Sequence, residues 1–194
     1  MRPSIHREPT GAVDIARHYI RDLIYGANDG IITTFAVVAG VTGGALSPRA
    51  VLIVGTANLL ADGLSMGVGN YLSIRSHESA RAAQDLPEEE AAPAKHGTVT
   101  FGAFAVAGGL PLLPYAFGAA PDLGFGLSVV ITFAALFAVG ALRSLVTVDR
   151  WETAGLEMLL LGALVAVAAY GSGAFVAWLV ASPASAGGIV TRNR

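Results

Sequence analysis

The sequence has no cysteine and few charged residues, and each shortage excludes a class of protein. Without cysteine, the chain has no disulfide, no thiolate metal ligand and no cysteine nucleophile. Only 13% of its 194 residues are charged and 54% are hydrophobic, whereas an ordinary soluble domain is about 25% charged. The net charge is -2, and no basic cluster points to a nucleic-acid partner. The composition therefore predicts an integral membrane protein.

Two further kinds of feature are lacking. Residues 1–22 are polar and charged, so they do not form a cleavable signal peptide. This lack of a targeting segment, together with the compact length, favours a bacterial plasma membrane. No nucleophile–base pair with useful spacing stands out, so the sequence predicts no enzyme and no cofactor.

Five apolar segments are long enough to cross a bilayer, whose core needs about 20 apolar residues per helix. They are predicted at residues 28–46, 50–74, 98–117, 123–146 and 154–180. Helices are preferred to barrel strands because the segments are continuous rather than alternating. Residues 47–49 mark a turn, and Pro111 and Pro114 interrupt the third segment. The predicted fold class is an all-α membrane protein, with residues 28–194 as its five-helix domain.

Residues 1–27 are predicted to lie outside the membrane core. Within them, residues 12–24 fit an amphipathic interfacial helix, because Ile15, Tyr19 and Leu23 share one face. Such a helix would lie on the membrane surface. The alternative is an exposed polar tail.

Lysine and arginine predict the orientation, because both are enriched in cytosolic loops. With a cytosolic N-terminus, nine of them lie in the cytosol: Arg2, Arg7, Arg17, Arg21, Arg75, Arg81, Lys95, Arg143 and Arg150. Three lie on the opposite side: Arg49, Arg192 and Arg194. The sequence therefore predicts a cytosolic N-terminus and a C-terminus across the membrane.

Polar side chains recur along one face of the second span. Asn58, Asp62 and Met66 are four residues apart, so they form a stripe on a helix. In the first span, Asp29 begins a similar line. Three further residues on or beside these lines are auxiliary candidates: Thr33, Ser65 and Asn70. Both spans also contain glycines four apart, which let helices approach closely: Gly26 and Gly30, Gly40 and Gly44, and Gly63 and Gly67.

Asp62 has two interpretations. An aspartate at the centre of a membrane helix costs roughly 2.5 to 3.5 kcal/mol, so it should face the bundle interior or a water-filled path. It is either a protonated group bonded to a neighbouring helix or part of a cation or proton site. Carboxylate and amide oxygens suit Mn²⁺, Mg²⁺ or Ca²⁺, whereas the thioether of Met66 favours Fe²⁺ and its neighbours.

One copy of each ligand is too few for a divalent ion. A homodimer would double the set around its two-fold axis, and symmetric dimers are the commonest oligomers. Facing carboxylates would also repel one another, which suits them to carry protons as well as metal.

Three stretches resemble the vacuolar iron transporter family, including its nodulin-like members: "YGANDGIITTFAVVAG" (25–40), "ANLLADGLSMGVGNYLSIRS" (57–76) and "GLEMLLLGALVAVAAYGSG" (155–173). The resemblance implies a five-helix homodimer whose ion path lies at the dimer interface, lined by the first two helices. It implies export of Fe²⁺, often also Mn²⁺, from the cytosol in exchange for protons. The family's first-helix aspartate falls on Asp29, and its second-helix methionine falls on Met66.

The chain departs from the family's pattern in two places. Many members have a glutamate where this sequence has Asn58, and we infer that Asp62, one turn later, supplies the missing charge. The loop at 75–97 is too short for the long, glutamate-rich metal-collecting domain of plant and yeast members.

The loop still offers candidate metal-capture residues: His77, Glu78, Glu88, Glu89, Glu90 and His96. The alternative is a solvated linker with a run of charge. Glu157, near the start of the fifth span, either pairs with Arg143 or Arg150 or serves a proton path, and we favour pairing.

The sequence thus predicts a dimeric Fe²⁺ or Mn²⁺ exporter driven by protons, with Asp29, Asp62, Met66 and Asn58 at the metal. Two alternatives remain: a non-transporting membrane scaffold, in which the polar stripe only holds helices together, and a transporter or channel for another cation.

Overall fold

The computed structural model describes residues 4–7, 9–145 and 147–181. Five long helices dominate it: α1 (Ala12–Gly43), α2 (Pro48–Ala82), α3 (Pro93–Gly109), α4 (Pro121–Arg143) and α5 (Trp151–Ala181). All five are long and apolar enough to cross a membrane, with α3 counted through to Ala116. No strand occurs in the described ranges, where β pairing is limited to an isolated bridge between Ser4 and Glu88. The predicted all-α class and the five spans are therefore confirmed.

Local chemistry explains where the second helix begins and how the third span ends. Ser47 caps α2 by accepting a hydrogen bond from the backbone nitrogen of Ala50 at 3.4 Å, and a proline follows at the first helical position. The two prolines of the third span turn its end into a 3₁₀ segment, Leu110–Leu112, before a last helical turn. Ser128 on α4 donates to the carbonyl oxygen of Pro111 at 2.8 Å, which ties this irregular end to the bundle.

The N-terminal region differs from the prediction. Residues 12–24 are helical, but they continue into the first span without a break, so α1 is one helix of 32 residues. No proline interrupts this helix. Gly26 lies within the helix and packs against the backbone of α3 at Thr100. The placement of residues 12–24 on a membrane surface stays a prediction. Four residues named in the sequence predictions lie outside the described ranges: Arg2, Val146, Arg192 and Arg194.

The helix α1 is the centre of the bundle, since it contacts all four of the others. The third helix packs against both α1 and α2, and glycines allow this close approach. A Cβ on Gly26 would lie 2.5 Å from the Thr100 carbonyl oxygen, and one on Gly67 would lie 2.8 Å from the Gly97 carbonyl oxygen. Gly40 and Gly173 form a similar close contact between α1 and α5. The predicted close approach of helices is confirmed at Gly26, Gly30 and Gly67, each of which faces the backbone of α3.

The close contact between α1 and α3 predicts a large difference between two glycines of the same helix. A Cβ on Gly108 would lie 2.7 Å from the Gly30 carbonyl oxygen, whereas one on Gly102 would meet nothing within 4 Å. We expect Gly108→Ala to lower the apparent melting temperature of the detergent-solubilised protein by several degrees, because backbone must shift. Gly102→Ala should leave it unchanged or raise it, since alanine is about 1 kcal/mol better than glycine within a helix. Equal melting temperatures for the two variants would contradict this packing.

The two ends of the bundle differ in charge. The start of α1, the end of α2 and the start of α3 meet at one end, which we call the loop end, as shown by the contact of Asp22 with both Asn70 and His96. The end of α4 lies there too, where Arg143 pairs with Glu157 of α5 at 3.2 Å. Most of the cationic residues in the described ranges lie at this end, and Arg49 lies at the other. Large apolar side chains along α5, such as Leu160 and Leu164, are exposed, as expected for helices surrounded by lipid.

Candidate functional site

Asp29 and Asp62 lie at the same level of the bundle. Asp29 is 14 residues before the end of α1 at Gly43, and Asp62 is 14 residues after the start of α2 at Pro48. At 1.5 Å per residue, each lies about 21 Å from the end of the bundle where α1 connects to α2. Both side chains are half-buried, and they are close enough for their charges to repel. The structure therefore brings the two predicted carboxylates together.

The other two predicted metal ligands share the half-buried side of α2. Asn58 and Met66 are each one helical turn from Asp62, and both are half-buried. The Nδ2 of Asn58 and the Oδ1 of Asn28 are buried without a hydrogen-bond partner. Buried polar atoms without a partner cost about 1–3 kcal/mol each, so such atoms mark a place where a ligand or water would bind. A flip of the Asn58 amide would exchange Nδ2 for Oδ1 at this buried position. The amide oxygen could then serve as a metal ligand there.

One side of α2 is left uncovered by its own chain. Small residues recur there at four-residue spacing and all are exposed: Ala57, Ala61, Ser65, Gly69 and Ser73. The larger apolar residues Leu60, Leu64 and Val68 are exposed beside them. The line of Asn58, Asp62 and Met66 therefore borders a surface that combines small and apolar side chains.

The predicted auxiliary residues have different surroundings. The hydroxyl of Thr33 donates to the carbonyl oxygen of Asp29 at 2.8 Å. Thr33 is one helical turn after Asp29, so the two residues share one face of α1. Ser65 lies on the exposed face of α2. Asn70 is bonded at the loop end, away from Asp62. Glu157 is exposed and pairs with Arg143 at 3.2 Å, as the pairing interpretation predicted.

A buried polar network joins the first three helices at the loop end. The Nδ2 of Asn70 donates to Asp22 Oδ1 and to Thr100 Oγ1, each at 2.7 Å. The other carboxylate oxygen of Asp22 lies 2.5 Å from His96 Nδ1. Asp22 is 2% exposed and His96 is 5% exposed. This network fixes the relative positions of α1, α2 and α3 at the loop end.

The predicted loop is mostly structured. The helix α2 continues to Ala82, and α3 begins at Pro93. Between them the chain folds back, because Glu78 Oε1 accepts hydrogen bonds from the backbone nitrogens of Glu89 and Glu90 at 3.1 and 3.0 Å. Arg81 also donates to the Pro87 carbonyl oxygen at 2.9 Å.

Five of the six predicted capture residues line one cavity of about 480 Å³ at the loop end: His77, Glu78, Glu89, Glu90 and His96. Glu88 does not line it, and its backbone pairs with the N-terminal segment instead. His77 sits at the exposed edge, 3.5 Å from Glu89, whereas His96 is buried. Asp22 and His18 also line the cavity.

Sequence reasoning missed Asp22 and His18. Both were placed in a surface helix because the first span was started at residue 28. A signal was available, since Asp22, Gly26 and Gly30 recur every four residues and so share a face with the paired glycines. Reading that face as one helix would have brought Asp22 into the bundle.

Comparison with known proteins covers most of the chain. The model of the VIT family matches residues 20–91 and 77–174. The "Vacuolar iron transporter 2" of Oryza sativa is 28% identical over 80% of this chain and 87% of its own length. The "Vacuolar iron transporter 1" of Eucalyptus grandis is 28% identical over 80% of this chain and 86% of its own length. The "Vacuolar iron transporter" of Toxoplasma gondii is 40% identical over a shorter region, 44% of this chain and 30% of its own length.

The comparisons also bear on the loop. The family match is split, and its two parts overlap at residues 77–91, where α2 ends and the loop follows. The alignment with the rice protein has 213 positions, whereas 80% of this chain is about 155 residues, so the rice protein has many positions without a counterpart here. The break in the family match therefore falls between the second and third spans. With its five membrane-spanning helices and a family match extending from the first span into the fifth, this chain belongs to the VIT family, the vacuolar iron transporters.

Proposed function

We propose that this protein transports Fe²⁺ or Mn²⁺ out of the cytosol by proton antiport. The observation that carries the proposal is the pair of carboxylates, Asp29 on α1 and Asp62 on α2, which are close enough for their charges to repel. Their mutual repulsion is relieved when a divalent cation lies between them or when a proton binds to one of them. Metal and proton would therefore compete for the same oxygens, which is the requirement for exchange. The relatives named as vacuolar iron transporters support iron as the substrate.

The neighbouring residues suit a transition metal better than Mg²⁺. Met66 offers a thioether, which soft or borderline ions accept and Mg²⁺ does not. Asn58 offers an amide oxygen one turn away. Because Asp62 supplies a charge that many family members have one turn earlier, we propose that it has taken over that role here.

We propose that the path is completed by a second copy of the chain. The uncovered small residues of α2 support a helix–helix contact, since lines of small side chains allow close packing in membranes. A two-fold axis along this face would bring two copies of Asp29, Asp62 and Met66 around one path. These side chains are only half-buried in the single chain, so part of each is left for contact with the second copy or with an ion.

The absence of natural cysteine makes the dimer directly testable. We expect a Ser65→Cys variant to form a disulfide-linked dimer in membranes under mild oxidation, because Cα atoms within about 7 Å can be bridged. A Leu164→Cys variant is the matched control, since Leu164 is exposed on α5, which packs against α1 and α4. Dimer formation by the control alone, or by neither variant, would contradict the proposed interface. Gel mobility with and without reductant is the measurement.

We propose that the loop end faces the cytosol. Arg17, Arg21, Arg75 and Arg81 lie at this end, whereas Arg49 lies at the other, and cationic residues are retained on the cytosolic side. An odd number of spans then puts the end of α5 across the membrane. We propose the bacterial plasma membrane as the location.

Flux measurements test the function. In proteoliposomes carrying the purified full chain, we expect Mn²⁺ or Fe²⁺ influx with a simultaneous release of protons from the lumen, recorded by a metal-sensitive and a pH-sensitive dye. An imposed pH gradient, acidic inside, should accelerate the influx. Metal flux without proton movement would overturn the antiport, and flux of Mg²⁺ equal to that of Mn²⁺ would indicate a transporter for another cation. No flux of any cation would favour the scaffold alternative.

A further inference from the structure

Three of the four histidines in the sequence converge on one carboxylate. Glu90 Oε1 lies 3.4 Å from His6 Nδ1, and Glu90 Oε2 lies 3.4 Å from His18 Nε2 and 3.0 Å from His96 Nε2. Ligand atoms of His6, His18 and Glu90 all lie within 4.8 Å of one another. The four residues come from the N-terminal segment, α1, the loop and α3, so the fold assembles them from distant parts of the chain.

The position of each group is fixed by other contacts. The backbone nitrogen of Ile5 donates to the Glu88 carbonyl oxygen at 2.8 Å, which holds the segment carrying His6 beside the loop. Two backbone hydrogen bonds to Glu78 hold the loop at Glu90. The buried carboxylate of Asp22 binds His96 Nδ1. A carboxylate bonded to one ring nitrogen fixes the proton there and leaves the other nitrogen free to bind a metal, which is the usual support of a metal-binding histidine.

Two of the converging nitrogens lack a hydrogen bond. The Nε2 atoms of His18 and His96 are buried and make none, although each lies near Glu90 Oε2. An unsatisfied buried nitrogen costs about 1–3 kcal/mol. A divalent cation among these groups would accept the lone pairs of both nitrogens and a carboxylate oxygen together.

We propose that His6, His18, Glu90 and His96 form a binding site for a divalent transition-metal ion at the loop end of the bundle. Imidazole nitrogens with a carboxylate suit Fe²⁺, Co²⁺ and Zn²⁺, whereas Mg²⁺ and Ca²⁺ prefer sites made of oxygens. The sequence predicted Glu90 and His96 as metal-capture residues of the loop, but it did not predict His6 or His18.

The site also shares the helix α1 with Asp29. It borders the cavity of about 480 Å³ at the loop end. His18 and Asp29 are 11 residues apart on α1, which is about 16 Å along the helix. A role in delivering metal to Asp29 rests on the proposed function, whereas metal binding at the site does not.

Metal binding by the purified full chain in detergent tests the proposal, with Co²⁺ as the probe and visible absorption and equilibrium dialysis as the readouts. The test uses His18→Ala and Glu90→Gln rather than changes at His96, because His96 also belongs to the buried network. We expect each variant to lose one bound Co²⁺ per chain or to weaken its binding at least tenfold. Excess Mg²⁺ should not displace Co²⁺ from the wild type.

Two controls distinguish Co²⁺ binding at this cluster from Co²⁺ binding elsewhere on the chain. Asp85→Asn should bind Co²⁺ like the wild type, since Asp85 is exposed in the loop and does not line the cavity. Asp62→Asn should keep this bound ion even if it no longer transports, so failure of the transport proposal and failure of this one are distinguishable. If His18→Ala and Glu90→Gln keep wild-type melting temperatures and wild-type Co²⁺ binding, the cluster is only a network of ion pairs and the proposal is overturned.

Discussion

Replacing Asp62 with asparagine is expected to reduce Mn²⁺ and Fe²⁺ flux into proteoliposomes at least tenfold. The amide keeps the size of the side chain but removes the charge that repels Asp29. A divalent cation in the path would then meet one carboxylate per chain instead of two. A loss of only about 1.4 kcal/mol in the stabilisation of the rate-limiting state lowers a rate tenfold. The proton released per metal ion should also fall, because one of its carriers is gone.

The matched control for this prediction is Asp85→Asn. Asp85 is an exposed aspartate in the loop, and its backbone φ of 56° is one that asparagine adopts readily. The control variant should transport like the wild type. Wild-type flux through Asp62→Asn would mean that Asp62 only stabilises the bundle or has no role in the path.

Replacing Asp22 with alanine is expected to destabilise the whole protein. Asp22 accepts hydrogen bonds from Asn70 and His96, so its removal leaves polar groups of two other helices buried without an acceptor. Each buried polar group left without a partner typically costs about 1–3 kcal/mol. The expected result is a drop of many degrees in the apparent melting temperature in detergent, together with a lower yield of folded protein.

Two further variants sharpen this second prediction. Asp22→Asn retains one acceptor oxygen and should lose less stability than Asp22→Ala. Asp14→Ala changes an exposed aspartate of the same helix and should stay within about 0.5 kcal/mol of the wild type. If Asp22→Ala melts at the same temperature as Asp14→Ala, the network does not hold the three helices together.

Much of the membrane domain could be predicted from sequence periodicity. The five apolar segments were predicted to be helices, and all five are. In lipid, a long apolar segment can hydrogen-bond all its backbone N–H and C=O groups by forming a helix. Asp29 and Asp62 were predicted to lie together, and antiparallel packing of adjacent helices puts them at one level. The paired glycines were recognised from their four-residue spacing, and the structure shows that a side chain at Gly30 or Gly67 would collide with a neighbouring backbone.

The loop end could not be predicted in the same way. Helical spacing shows which residues share a face, but it does not show which helices are neighbours. His18 and His96 are 78 positions apart, and only the packing of α1 against α3 brings their rings within 5.0 Å. The long helix α1 was divided in the prediction because its polar first half and apolar second half differ in composition, although nothing interrupts the backbone between them.

The most direct test of the central claim is an anomalous-scattering map from crystals of the protein soaked in Mn²⁺. A peak beside Asp29 and Asp62, with Asn58 or Met66 nearby, is the predicted result. An ordered α1–α2 pair whose Mn²⁺ peaks all lie elsewhere would contradict the claim that these carboxylates form the ion path.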